Sequence, residues 1–173
     1  MSAHSAISTN SGKKKVKTAK VSRLYKPAEM TLEEWQVELR RQFGREQLFR
    51  IKNLGDHPVF SEFQVANPES KNSYRVRIRG RKLGDNACTC PDFATNTLGT
   101  CKHIEFTLAK LRRGRESSSQ LRNGFQPSFS EIYLQYGARR DVRFQPGSDC
   151  SPALSRLAAG LFNDEGKIGR AHV

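Results

Sequence analysis

Apolar residues Leu32, Trp35, Leu39 and Phe43 recur at spacings of three and four, the repeat of one helix face. Thr31 followed by Glu34 forms a capping box at the start of this run, and Gly44 is expected to end it. The pattern predicts an amphipathic helix of about thirteen residues, with Trp35 as a core anchor. Arg40, Arg41 and Arg45 fall towards its C-terminal end, where positive charge suits the helix dipole. The period then changes. Residues 48–52, 59–65 and 74–79 have strand character and are separated by the turn-forming runs Gly55-Asp56-His57-Pro58 and Asn67-Pro68-Glu69-Ser70. The third segment alternates, with Tyr74, Val76 and Ile78 on one face and Arg75, Arg77 and Arg79 on the other. A small antiparallel sheet follows from these three runs.

Ile104, Leu108 and Leu111, with Phe106 and Ala109 beside them, predict a second helix over 101–113 with Thr100 as its N-cap. Residues 114–124 are polar, rich in Ser and Arg and without periodicity, which reads as a linker. Residues 125–145 are weakly strand-like, and Ser151-Pro152 opens a short helix through Leu154, Leu157, Ala158 and Leu161. The apolar surface of this last third is thin for an independent core, so a partner or a continuation of the chain is expected to cover it. The resulting plan is α+β. It comprises a basic, disordered arm (1–29), a helix with strands (30–73), a central unit (74–113), a linker (114–124) and an accessory segment (125–173).

Charge sharpens this plan. Thirty Lys and Arg oppose 17 Asp and Glu among 173 residues, a net +13 with pI near 10.0, and surplus of this sign favours polyanions such as nucleic acid. Seven basic residues precede the first acidic one, Glu29. Such an arm either binds phosphates nonspecifically or simply solubilises. Within the folded part, Lys71, Arg75, Arg77, Arg79, Arg81 and Lys82 form a run without an acidic residue, the best candidate for phosphate contact. The alternative is a solvated sheet face, since exposed Arg rows are common without ligands. The chain has neither an apolar run long enough for a membrane span nor a secretory signal, and a soluble cytoplasmic protein is expected.

Cysteine usage supplies the chemistry. Three of the four cysteines fall between positions 88 and 101, and clustering of this kind points to metal more than to a disulfide framework. Cys88-Thr89-Cys90, ten residues, then Cys101-Lys102-His103 make the pattern C-x-C-x10-C-x-H, four good zinc ligands. Two cysteines two apart on an extended segment point to the same side, and Pro91 is expected to end that strand. Cys101 and His103 can meet one ion only if Cys101 lies at or before the first helical turn. Four protein ligands leave no position for water or substrate, so one structural zinc ion is expected, and no enzyme. A reactive-thiol site is the alternative use of such a cluster. Cys150 stands alone and reads as a small buried hydrophobe.

At these residues the sequence resembles the SWIM zinc finger family, whose pattern is C-x-C, a variable spacer and C-x-H. The resemblance implies a strand-strand-helix finger over about 74–113. The stretch from Asn86 to Phe106 is similar to the SWIM segment near the N-terminus of bacterial Swi/Snf-type helicases, as are, more loosely, Phe60-Ser-Glu-Phe and Tyr133-Leu-Gln-Tyr-Gly-Ala-Arg-Arg. No phosphate-binding G-x-x-x-x-G-K-[ST] is present, so the ATPase is not carried over. The expected function is a zinc-stabilised accessory module that binds DNA or other nucleic acid. Arg75, Arg77, Arg79, Lys82, Lys102 and Arg112 are its candidate contacts, and a helicase or other protein is a possible partner. A protein-interaction adaptor with a structural zinc is the alternative.

Overall fold

A computed structural model of the protein describes residues 20–169. The lysines at 13, 14, 15 and 17, the densest part of the expected basic arm, lie outside the described residues. The element order is α1 (Leu32–Glu46), β1 (Arg50–Asn53), β2 (Glu62–Ala66), β3 (Ser73–Arg77), β4 (Ala87–Cys88), α2 (Pro91–Thr95), α3 (Lys102–Leu111), α4 (Arg115–Asn123), β5 (Glu131–Gln135), β6 (Asp141–Gln145) and α5 (Pro152–Leu161). Strands β1 to β4 form one antiparallel sheet in sequence order and β5 pairs with β6, so the architecture is α+β. No helix among the described residues is long and apolar enough to cross a membrane.

The capping box of α1 is formed as the sequence indicates. The Thr31 hydroxyl accepts from the Glu34 amide at 3.2 Å, and the Glu34 carboxylate accepts from the Thr31 amide at 2.8 Å. Gly44, however, does not end the helix, which continues to Glu46. Gly44 is where α1 crosses α3: a Cβ at this position would sit 2.7 Å from Phe106 N and 2.9 Å from Lys102 O. The missing side chain permits that approach. Trp35 is half-buried and not the core anchor expected of it, because its indole N–H reaches the Ser22 carbonyl oxygen at 2.8 Å. Val37 takes the buried position. Residues 20–29, assigned to the arm from sequence, begin against α1, with the Val21 amide donating to Gln42 and Lys20 paired with Glu46 at 2.8 Å.

The three predicted strands exist with shifted ends. Val59 and Phe60 precede β2 and enter the core from a turn, where both of their amides donate to His57 Nδ1. An apolar run was thus read as strand where side-chain capping holds a turn. Phe63 and Val65 of β2 and Val76 of β3 are buried, together with Ile78 just past β3. They meet Ile104 and Leu108 of α3, each buried aliphatic side chain contributing about 1.5–3 kcal/mol. The sheet therefore lies under α3, and α3 under α1.

Residues 114–124, expected to be an aperiodic linker, instead hold the helix α4, whose single apolar residue Leu121 is buried in the main core. One anchor docks a helix that is otherwise polar. Beyond it, Phe125 stacks on Phe60 at 4.7 Å, and Tyr136, after β5, packs on Phe93 of α2 at 4.7 Å. The Ser151 hydroxyl caps α5 as predicted, accepting from the Leu154 amide. Ile132, Leu134, Leu157 and Leu161 remain exposed, consistent with the thin apolar cover expected here.

Candidate metal centre

Each of the four ligand residues is held by a different local device. Cys88 sits in β4 opposite Val76, and Cys90 is the N-cap of α2. Pro91 does not end the strand, which stops at Cys88; it opens α2 at a position where its missing N–H and fixed φ suit a helix start. Cys101 is the N-cap of α3, with extended φ and ψ of -150° and 170°, which resolves the i, i+2 problem because it precedes the first turn. Thr100, expected at that cap, lies one residue earlier and donates its hydroxyl to the buried Glu105 carboxylate at 2.8 Å. The turn into Cys101 requires Gly99, at φ +68°, where a Cβ would meet the Tyr136 carbonyl oxygen at 2.5 Å. His103, in the first turn of α3, is clamped between the rings of Phe49 and Tyr74 at 5.1 and 4.9 Å.

These devices bring Cys88, Cys90, Cys101 and His103 together. All four are buried, and their ligand atoms lie within 4.8 Å of one another. His103 Nδ1 faces the cluster, 3.9 Å from the sulfurs of both Cys88 and Cys101. A tetrahedral ion with metal–sulfur bonds of about 2.3 Å and a metal–nitrogen bond of about 2.0 Å needs edges of about 3.5–3.8 Å. The cluster is thus within small side-chain adjustments of a closed site, and it can hold one metal ion. All four cysteines of the chain are free thiols.

The electrostatics of the sulfurs are uneven. Hydrogen bonds from Cys101 and Cys88 lower the Cys90 thiol, aided by the Phe93 amide at 3.4 Å at the start of α2. Burial pushes the Cys101 thiol up. Cys88 is pushed up to about 12, because a hydrogen bond with Cys101 that lowers it is outweighed by its interactions with Cys90 and by burial. The cluster therefore favours the thiolate at Cys90 over those at Cys88 and Cys101, where a cation would have to compete with the thiol protons.

The six basic candidates are distributed over several surfaces. Arg75 and Arg77 project from the outer face of β3, with side chains 69% and 45% exposed. Glu62 lies 3.3 Å from Arg75, and Glu131 lies 3.9 Å from Arg77. Arg79 is only 14% exposed, paired with Glu131 at 3.1 Å and stacked over Tyr133. Lys82 is in the loop after β3, its amide bound to Asp85. Lys102 flanks a cavity of about 190 Å³ beside His103, and Arg112 is the C-cap of α3. Arg75, Arg77 and Arg79 share a groove of about 560 Å³ with Phe93 and Tyr136. Arg140 lies over the Tyr136 ring at its margin and donates to the Ala94 carbonyl oxygen. Tyr136 and Arg140 were not named as site residues from sequence, although both fall in the stretch Tyr133-Leu-Gln-Tyr-Gly-Ala-Arg-Arg. Asp92, Glu105 and His57 have structural partners in Arg40, Thr100 and the turn at Val59.

No family model, no curated protein and no solved structure matches this chain. The functional argument therefore rests on the residues themselves.

Proposed function

We propose that this chain is a structural zinc module of the SWIM type that binds nucleic acid, and that it serves as an accessory region of a helicase-like system. The observation that carries the zinc assignment is the buried Cys3His set. Three thiolates and one neutral imidazole in a tetrahedral arrangement suit zinc, and four protein ligands leave no open coordination position for catalysis. The module is accordingly read as a non-enzyme. Bound zinc would leave the site at a net charge of -1 and would cross-link β4, α2 and the start of α3. In small zinc modules such binding supplies on the order of 10 kcal/mol to folding at neutral pH.

The groove on β3 supports the nucleic-acid reading. Exposed guanidinium groups at Arg75 and Arg77 suit phosphates, and Arg140, held over the neighbouring Tyr136 ring, adds a further cation at the margin of the groove. Arg79, Lys82, Lys102 and Arg112 are further candidate contacts around it. The adaptor reading draws on a different observation, the exposed Ile132, Leu134, Leu157 and Leu161.

One experiment separates these readings. Zinc content is measured for the full chain and for Cys101→Ala, and single-stranded DNA binding is followed across a salt series for the full chain and for Arg75→Ala with Arg77→Ala. One zinc per chain, lost in Cys101→Ala, is expected. The expected salt slope falls by roughly one unit per phosphate contact removed. Zinc without salt-sensitive DNA binding would favour the adaptor, and absence of zinc would overturn the assignment.

A further inference from the structure

β5 and β3 belong to different sheets, and among the described residues no backbone hydrogen bond links the β5–β6 hairpin to β1–β4. Two side chains from one face of β5 meet the arginines of β3 instead. The Glu131 carboxylate takes Arg79 as a fork, with Oε1 3.1 Å from Nε and Oε2 3.4 Å from Nη2, and the same Oε2 lies 3.9 Å from Arg77 Nη2. Tyr133, two residues further along β5, sets its ring under the Arg79 guanidinium at 4.5 Å. The Arg79 and Glu131 side chains are each only 14% exposed, so water and salt screen this pair little. Arg79 still forms part of the wall of the β3 groove, beside the open Arg75 and Arg77. The most enclosed cation of that groove is thus the one already holding an anion.

We infer that Arg77 and Arg79 form an oxyanion site whose resident occupant is Glu131, and that a nucleic-acid phosphate binds there by taking the carboxylate's place. The inference rests on the nucleic-acid reading of the β3 groove and adds how that groove is filled. The exchange is like for like, because the guanidinium fork that receives a carboxylate in two parallel hydrogen bonds receives two phosphate oxygens in the same way. It leaves nothing unpaired: the arginine keeps an anion, and the released carboxylate is taken up by water. The hairpin can yield, since its hold on the main sheet is made by side chains and no ladder has to break. A site that is open in only a fraction of molecules binds with an affinity lowered by that fraction. Glu131 therefore keeps the groove below its full affinity, and a polyanion that has already met Arg75 delivers its next phosphate at high effective concentration to the guarded pair.

Fluorescence anisotropy of a labelled single-stranded oligonucleotide with the full chain, across a salt series, tests it. Glu131→Gln keeps the size of the side chain and should tighten binding about five- to tenfold, with a salt slope steeper by roughly one unit because one more phosphate contact forms. Glu69→Gln makes the same change of net charge in the exposed turn between β2 and β3, and should alter affinity less than about twofold because that charge is screened. Adding Arg79→Ala to Glu131→Gln should remove the gain, the non-additivity of a shared contact. Tyr133→Leu loosens the same cover without changing charge and should tighten binding in the same direction, so the test stands even where circular dichroism shows Glu131→Gln to be poorly folded. A gain no larger than that of Glu69→Gln, or one that survives Arg79→Ala, would overturn the inference and leave the nucleic-acid reading in place. Absence of salt-sensitive binding in both the parent and Glu131→Gln would sink the two together.

Discussion

Replacing Gly44 by alanine sets two physical effects against each other. In an exposed helix interior, Ala is favoured over Gly by about 1 kcal/mol. At the crossing of α1 with α3, the new Cβ would lie 2.7 Å from Phe106 N, 2.9 Å from Lys102 O and 3.0 Å from Glu105 C. All three are backbone atoms of α3, so no side chain can rotate to relieve the contact, and the helices must separate by several tenths of an ångström. Overpacking of this kind costs about 1–3 kcal/mol, and the rigidity of the obstacle places Gly44→Ala at the upper end. The net expectation is a loss of about 1–2 kcal/mol, a shift of several degrees in Tm for a domain of this size. Because Lys102 stands between Cys101 and His103, the displaced turn also carries two ligands, so metal affinity should fall with stability. Urea unfolding at buffered zinc, paired with competition against a chromophoric chelator, measures both quantities. A Gly44→Ala protein that is as stable as the parent, or more so, would refute the close crossing.

Other consequences are open to direct measurement. Zinc binding should release about two protons near neutral pH, because Cys88 and Cys101 are pushed up while Cys90 is lowered. Affinity should therefore fall steeply as pH drops, which calorimetry in buffers of different ionisation enthalpy would show. In the metal-free chain the raised Cys88 contributes with the opposite sign. With Cys88 raised from 9.0 to about 12 in the fold, its stability contribution is complete below pH 9.0 and is lost as pH rises towards 12. Leu121→Ala should cost about 2–5 kcal/mol in urea unfolding, since that one side chain docks α4, whereas a true linker would tolerate the change.

The helix starts and the metal ligands were legible because their signals are local. Thr31 with Glu34, Ser151 with Pro152 and the four ligand residues each act within a few positions of sequence. What could not be read depends on distant partners. Gly44 looks like a helix stop until α3 lies against it, and Leu121 is one apolar residue in a polar run until a core exists to receive it. Arg75, Arg77 and Arg79 form a row with no acidic neighbour in sequence, yet the fold brings Glu131 to within 3.1 Å of Arg79. Trp35 misled for the converse reason: its polar N–H found a carbonyl outside the core.

The placement of Tyr136 bears on the order of events during synthesis. The fourth ligand is residue 103, so all four leave the ribosome ahead of Tyr136, at a stage when the loop through Gly99 is still free to move and an ion could enter. The ring that covers Phe93, and the carbonyl that fills the space over Gly84 and Gly99, arrive thirty-three residues later. Loading thus belongs to an early, open chain and retention to a finished one. An ion held by the four ligands is expected to exchange more slowly once the Tyr136 segment is in place beside Cys88.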